Sequence, residues 1–252
     1  MRFVFDIWFG SGDILLTVLA LIAFVLAIYL AIVPHEIAHG LVAKWNGDLT
    51  AKVNGRLTMN PVVHFDLIGF VMLLTMGFGF AKPVPVNPYN FKIPRRGLFT
   101  VAIAGVTYNL AAVIVSCFFL ALVMFLAPYM ASVLYLYQFL NWFFSFSFTI
   151  NMMLFLFNII PLGPLDGFKI VEAYADRRNR FVGFLRTYGT YILIGLFVLH
   201  MFVYFISINI DAAPDWLQYV DILGLYLDTL THYIGGGILS LFTMMFGMGP
   251  AI

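Results

Sequence analysis

The feature that most constrains this chain is an uninterrupted run of uncharged residues. No Asp, Glu, Lys or Arg occurs between Gly97 and Leu165, a run far longer than the roughly 20 residues that one membrane-crossing helix requires. Of all 252 residues, 63% are hydrophobic and only 10% are charged, whereas a soluble domain averages about 25% charged residues. The sequence therefore predicts an all-α polytopic membrane protein whose surface faces the lipid bilayer.

Four segments are predicted to cross the bilayer as helices. Residues 14–33 carry no charge and are long enough to span it, because an α-helix rises about 1.5 Å per residue. Pro128 divides the uncharged run into predicted helices at about 98–127 and 134–160, since proline interrupts helical hydrogen bonding. Residues 187–210 form the fourth predicted span.

The C-terminal segment, about 217–247, permits two interpretations. It is apolar but carries Asp221, Asp228, His232 and three consecutive glycines. It can form a fifth span or a helix that lies in the membrane interface. We therefore expect four or five transmembrane helices.

Residues 65–80 are apolar but differ from the predicted spans. The segment is short and is broken by Gly69, Gly77 and Gly79, and glycine disfavours a stable helix. Non-helical backbone is tolerated at membrane depth where it is buried in protein or lines a water-filled cavity. We predict a re-entrant or β-hairpin segment here.

The distribution of positive charge predicts the topology. Twelve of the thirteen Lys and Arg residues lie between Lys44 and Arg186. Because cytoplasmic loops are enriched in Lys and Arg, residues 44–96 and 166–186 are predicted to be cytoplasmic and residues 128–133 to be extracellular. This arrangement suits a multi-pass protein of the cell membrane. The net charge of +1 gives no indication of nucleic-acid binding.

A metal-binding pattern, HEIAHG, begins at His35 near the cytoplasmic end of the first predicted helix. Positions i and i+4 share one face of a helix, so His35 and His39 can present two nitrogen atoms to one metal ion. Glu36 lies beside that face, where it can take a proton from a metal-bound water. A chance occurrence of the pattern and a polar helix end are the simpler alternatives, but neither explains the spacing.

Asp166 is the candidate for a third ligand, which a catalytic zinc site requires besides an open position. It ends the uncharged run, in the segment NIIPLGPLDG that starts at Asn158. An ionised carboxylate at such a place costs free energy, so its presence indicates a function. Pro161, Pro164 and Gly167 interrupt the helix and allow the side chain to turn inward. The alternative is an Asp that caps a helix after a proline turn.

These two motifs together resemble the site-2 protease family of intramembrane zinc metalloproteases. The resemblance implies that His35, His39 and Asp166 bind Zn²⁺ and that Glu36 is the catalytic base. Further similarity lies in the segments from Gly55 to Asp66 and from Gly79 to Pro88, and in AGVTYN at 104–109, where the family's AGPxxN has proline in place of valine. The similarity covers about residues 14–170 and is closest to small members that lack PDZ and CBS domains.

Asn109, His64 and Asn158 are weaker candidates for the same site. Asn109 can stabilise the reaction's oxyanion or join two helices through its amide. His64 can hydrogen-bond the oxyanion or substrate. Asn158 can orient Asp166 through a hydrogen bond without itself binding the metal, or it can satisfy backbone groups freed by Pro161.

No stretch is polar enough to suggest a second, soluble domain, so we expect one membrane-embedded domain over residues 1–252. The resemblance implies that it is a protease domain with its core at 14–170, followed by C-terminal helices at 187–210 and about 217–247. The expected partners are a transmembrane protein substrate and the bilayer, and oligomer formation is possible. Among the remaining histidines, His200 is expected to be a packed histidine with a hydrogen-bond partner, and His232 has no assigned role. A non-proteolytic metal-binding membrane protein or carrier is the alternative function.

Overall fold

The structure, a computed structural model, describes residues 13–66, 69, 82–176, 178–210, 214 and 216–250. Their α-helices in chain order are α1 Ile14–Trp45, α2 Thr50–Val53, α3 Pro94–Leu126, α4 Leu134–Asn158, α5 Asp166–Tyr174, α6 Arg180–Asn209, α7 Leu217–Val220, α8 Ile222–Leu230 and α9 Gly237–Met245. Short 3₁₀ turns occur at Pro61–Val63, Pro88–Asn90, Ala127–Tyr129 and Ala131–Val133, and a π-helical segment at Thr231–Gly236.

Four helices are long and apolar enough to cross a membrane, and they correspond to the four predicted spans. They are Ile14–Trp45, Pro94–Tyr129, Ala131–Asn158 and Arg180–Asn209. No β-strand lies within the residues that the structure describes. The prediction of an all-α polytopic membrane protein is therefore confirmed.

The first helix continues well beyond the span predicted from its charge-free residues, because α1 passes through Pro34 and ends at Trp45. A proline inside a helix leaves the carbonyl group four residues earlier without its usual donor. Here that carbonyl belongs to Leu30, and it accepts a 2.6 Å hydrogen bond from the Tyr108 hydroxyl of α3. The bond compensates for the proline and joins α1 to α3 one turn from His35.

The bundle is centred on α1, α3 and α4, which pack against one another. Small residues on α1 permit this close approach, since the fully buried Ala23 and Ala27 form a cluster with Phe146 of α4. The short helix α5 packs against α3, so that the segment after α4 returns to the bundle. This arrangement brings the two sequence motifs of α1 and α5 to one place.

The C-terminal segment packs against the bundle. Side chains of α8, the π-helical segment and α9 cover a core formed by Val113 and Cys117 of α3 with Met152 and Leu156 of α4. His200 of α6 contacts Asp221 with 2.7 Å between Nδ1 and Oδ2, which gives this histidine a partner at the start of α8. The predicted re-entrant segment at 65–80 lies almost wholly outside the described residues.

Candidate metal centre

Three buried side chains converge at the centre of the bundle. His35 and His39 lie on one face of α1, and Asp166 begins α5. Their Nε2 atoms are 3.0 Å apart, and Asp166 Oδ2 lies 3.5 Å from the first and 3.0 Å from the second. Zn–N and Zn–O bonds of about 2.0–2.2 Å place the ligands of a tetrahedral site roughly 3.3 Å apart. The observed separations fit this geometry.

The outer nitrogen of each imidazole is held by an oxygen acceptor. His39 Nδ1 donates a 2.7 Å hydrogen bond to the Val101 carbonyl, and His35 Nδ1 donates a 2.6 Å hydrogen bond to Asn109 Oδ1. In a neutral imidazole whose Nδ1 carries the proton, Nε2 carries a lone pair. The Nε2 lone pairs of His35 and His39 and the Oδ2 atom of Asp166 are therefore directed at one point. A cation bound at that point would interact favourably with all three. The residues present fit zinc.

The orientation of His35 depends on a hydrogen-bonded series of amides. The Asn109 amide nitrogen donates to the Ala31 carbonyl at 3.2 Å and to Asn151 Oδ1 at 2.8 Å, which leaves its oxygen for His35. Asn151 in turn donates to the Ser147 carbonyl at 2.8 Å. Because each amide is oriented by the next, Asn151 of α4 fixes which atom Asn109 presents to His35.

A glycine on α3 leaves room for both histidines. A Cβ atom at Gly105 would lie 2.5 Å from His35 Cε1 and 2.5 Å from His39 Nε2. Real Cβ atoms essentially never approach so closely. The two rings therefore occupy space that a side chain on α3 would fill, and this position in AGVTYN requires glycine.

The turn before α5 directs Asp166 toward the histidines. Gly167 lies against the backbone of Ile159 and Ile160, and a side chain there would collide with their carbonyl oxygens. The second oxygen of Asp166 accepts a 2.9 Å hydrogen bond from the Lys169 ammonium group, one turn further along α5. Lys169 therefore fixes the rotation of the carboxylate and leaves Oδ2 directed at the two imidazoles.

Glu36 contacts a non-helical segment that lines the site, residues 82–87, here called the covering segment. Its carboxylate Oε2 accepts a 2.8 Å hydrogen bond from the Val84 backbone N–H. Pro83 and Pro85 flank Val84, and proline has no N–H. Val84 thus supplies the backbone donor between the two prolines, and the bond holds Glu36 beside the candidate metal-binding residues.

Both ends of the covering segment are anchored. The Arg56 guanidinium donates to the carbonyl oxygens of Lys82 and Pro83. At the other end, the fully buried Asp48 carboxylate accepts from the Asn87 backbone at 2.7 Å and from the Asn90 side chain at 2.8 Å. Burial alone would raise the pKa of Asp48, but its hydrogen bonds hold that pKa below the ordinary value.

A cavity of about 390 Å³ opens beside the three ligands and Glu36. Its walls include the covering segment, Asn158, Lys169 and Glu172. The Asn158 amide makes no hydrogen bond within the described part of the chain, so it is free to bond a molecule in the cavity. The cavity is therefore lined by a candidate metal site, a second carboxylate and an amide, all within reach of one bound molecule.

The three weaker candidates have different surroundings. Asn109 is fully buried, its amide oxygen is bonded to His35, and it does not line the cavity. His64 is fully buried with Nε2 2.8 Å from the Thr58 carbonyl, and it does not line the cavity. Asn158 lines the cavity, and Lys169 rather than Asn158 bonds Asp166.

Several residues of the site were missed in the sequence. The covering segment lies within the similarity noted from Gly79 to Pro88, but its contact with Glu36 was not predicted, because a backbone N–H leaves no side-chain signal. Asn151 and Lys169 did leave a signal in the sequence. A polar side chain within an apolar span needs a hydrogen-bond partner, and a cation one turn after a buried carboxylate can bond it.

Two histidines and a carboxylate at the centre of a membrane-helix bundle, with a second carboxylate beside them, define a class of metal-dependent membrane hydrolases. Comparison with known proteins assigns the family. The family model described as Peptidase family M50 matches residues 23–202. The chain belongs to this family, which is the site-2 protease family and confirms the resemblance seen in the sequence.

Two relatives illustrate the similarity. The chain is 38% identical over 193 residues to "Putative zinc metalloprotease YwhC" of Bacillus subtilis (strain 168), and the alignment covers 76% of this chain and 87% of that protein. It is 28% identical over 159 residues to "Putative zinc metalloprotease MJ0611" of Methanocaldococcus jannaschii, over 62% of this chain and 72% of that protein. No solved structure matched the chain.

Proposed function

We propose that this protein is a zinc metalloprotease that cleaves a transmembrane segment of a membrane protein substrate. The observation that carries the proposal is the convergence of His35, His39 and Asp166 beside Glu36. The family and the named relatives support metalloprotease chemistry. The ligand roles of the three residues and the base role of Glu36 belong to this proposal.

The position of the site supports cleavage within the membrane. His35 and His39 lie inside a helix that is long and apolar enough to be a span. His35 lies ten residues and His39 six residues before the end of this helix at Trp45. At 1.5 Å per residue, they lie roughly 15 Å and 9 Å from that end. We propose that this end is cytoplasmic, because the Lys and Arg residues cluster there.

Each side chain has a defined task in the proposed reaction. When bound, zinc supplies Lewis acidity, which lowers the pKa of a coordinated water and polarises a carbonyl group. Glu36 takes a proton from the attacking water and later delivers it to the leaving amine. Asn158 donates a hydrogen bond to the substrate carbonyl oxygen. Asn109, Asn151 and Lys169 keep the ligands in place.

The substrate must lose helical structure to reach the site. Carbonyl groups in a transmembrane helix are engaged in hydrogen bonds to the residue four positions later, so a peptide bond becomes available only after local unwinding. Pro83, Val84 and Val86 of the covering segment line the cavity. We propose that unwound substrate lies beside it, and that helix-weak residues near the cleavage position accelerate the reaction.

The proposal is tested by reconstituting the purified protein in liposomes with a membrane-spanning peptide. We expect cleavage that stops when a chelator removes the metal and returns when zinc is added. Mass spectrometry of the products should place the cut inside the apolar segment of the peptide. A protein that binds zinc but cleaves no membrane-spanning peptide would favour the non-proteolytic alternative, and a cut confined to the soluble flanks would contradict intramembrane cleavage.

A further inference from the structure

A groove on the outer side of the α1–α3 interface is separate from the metal centre. It has a volume of about 690 Å³ and lies between Ala38, Leu41 and Val42 of α1 and Ile103, Ala104 and Thr107 of α3. This volume is within the range of about 300–1,000 Å³ that is typical of small-molecule sites. Both walls belong to helices that can span the membrane, so the apolar part of the groove faces lipid.

One end of this groove is strongly cationic. Lys92 and Arg96 line it together with Trp45 and Asn46. Within the described part of the chain, neither cationic side chain makes an ion pair or a hydrogen bond. Trp45 is 71% exposed, and exposed tryptophan is enriched at the level of lipid headgroups. This end of the groove therefore combines two positive charges that have no ion-pair partner among the described residues with an aromatic residue typical of the membrane interface.

The start of α3 adds a second attraction for an anion at the same place. The residue before the helix is Ile93, which provides no side-chain hydrogen bond to cap the first turn. Pro94, the first residue of α3, has no N–H, so the backbone donors without a partner within the helix are those of Arg95 and Arg96, at the positive end of the helix dipole. An anion beside Arg96 would therefore meet backbone donors as well as side-chain charge.

The length of the groove matches half a bilayer. From Arg96 to Thr107 along α3 the helix rises about 16 Å, and the hydrocarbon core of a bilayer is about 30 Å thick. A molecule with an anionic head at Lys92 and Arg96 and an apolar tail reaching Thr107 would extend through one leaflet. Neither a soluble anion nor an uncharged lipid uses both parts of this groove.

We propose that the α1–α3 groove binds one anionic phospholipid. Its phosphate lies at Lys92, Arg96 and the start of α3, and an acyl chain fills the groove as far as Thr107. Because Ala38 and Ala104 adjoin His39 and Gly105 in sequence, the lipid would support the outer side of the same helix pair that holds the metal ligands. The lipid acts as a structural ligand and takes no part in proteolysis.

The test compares two lipids that share the same acyl chains, phosphatidylglycerol and phosphatidylcholine, on the purified full-length protein. Native mass spectrometry counts the lipid molecules that remain bound after detergent removal. Each cation near an anionic lipid surface contributes about a five-fold preference, so the wild type should favour phosphatidylglycerol roughly 25-fold. The double variant Lys92→Gln with Arg96→Gln should bind both lipids nearly equally.

The matched control is the double variant Lys44→Gln with Arg95→Gln. It removes the same charge from exposed neighbours that do not line the groove, and it should keep the wild-type preference. A second variant, Thr107→Phe, fills the deep end at an exposed position and should weaken phosphatidylglycerol binding about ten-fold. Circular dichroism verifies that each variant retains its helical content.

Four outcomes would overturn the proposal. Equal loss of preference in both double variants would indicate general surface attraction instead of a site. An unchanged preference in Lys92→Gln with Arg96→Gln would exclude the headgroup position. Displacement of the lipid by soluble glycerol phosphate would show that the apolar groove contributes nothing. Displacement by an equimolar membrane-spanning peptide would assign the groove to a substrate helix.

Discussion

The substitution Gly105→Ala tests whether the close packing of α3 against the two histidines controls metal binding. The added Cβ atom would lie 2.5 Å from His35 Cε1, 2.5 Å from His39 Nε2 and 2.7 Å from His35 Nδ1. These ring atoms cannot rotate away freely, because each Nδ1 is already hydrogen-bonded to Asn109 or Val101. The strain must be relieved by movement of α3 or of the ligands.

The size of the effect follows from the required displacement. Ordinary carbon contacts begin at about 3.5 Å, so the rings or the helix must move by roughly 1 Å. A functional site tolerates displacements of about 0.5 Å, and a 1 Å misplacement can lower the rate about 100-fold. We expect the dissociation constant for zinc to rise 10- to 100-fold, as it does when a residue supporting a metal ligand is lost, and kcat/KM to fall about 100-fold.

The matched control is Gly195→Ala on α6, where an added Cβ atom meets no other atom within 4 Å. It makes the same chemical change inside another candidate span, and it should leave zinc affinity and cleavage unchanged. Zinc affinity is measured by competition with a chromogenic chelator, and cleavage with the reconstituted peptide. Wild-type zinc affinity and activity in Gly105→Ala would refute the inference that this glycine makes room for the ligands.

Three further predictions concern the surroundings of the site and the topology. Asn151→Ala should weaken zinc binding about ten-fold in the chelator competition, because Asn109 would lose its orientation; an unchanged dissociation constant would remove Asn151 from the account. The pKa of Asp48 is depressed in the folded state, so its stabilisation is present above the unfolded pKa of about 3.9 and is lost as pH falls through the folded value. Thermal unfolding from pH 7 to pH 3 should therefore show a steeper loss of Tm in the wild type than in Asp48→Asn, and parallel curves would argue against this linkage. Single cysteines at Lys92 and Arg178 should resist a membrane-impermeant reagent added outside, whereas one at Pro128 should react. Labelling at Lys92 would contradict the predicted cytoplasmic location of residues 44–96.

Hydropathy and charge predicted most of the bundle, because crossing a bilayer imposes a long apolar helix whatever its neighbours are. The end of α1 was less predictable. The charge-free residues stop at His35 and the HEIAHG pattern carries the predicted helix only to about Gly40, but the helix continues to Trp45, and Tyr108 bonds the carbonyl that Pro34 leaves free. That compensation comes from a different helix, so the local sequence of α1 contains no sign of it.

The three residues proposed as metal ligands could be selected from the sequence because metal chemistry restricts residue type and spacing, and the structure brings them within 4.8 Å of one another. The supporting contacts could not be selected in this way, since they depend on which helices meet. Asn109 can serve an oxyanion or a histidine equally well, and only the proximity of Ala31 and Asn151 directs its oxygen to His35. The contact between Val84 and Glu36 involves a backbone N–H, which any residue other than proline supplies.

The most direct test of the central claim is the cleavage rate of Glu36→Gln. The substitution removes the proposed base but none of the three ligand side chains, and the amide oxygen can still accept the Val84 N–H. Our account predicts one zinc per chain, an unchanged unfolding temperature and a loss of at least 100-fold in the cleavage of a membrane-spanning peptide. Wild-type cleavage by a zinc-loaded Glu36→Gln protein would contradict the account.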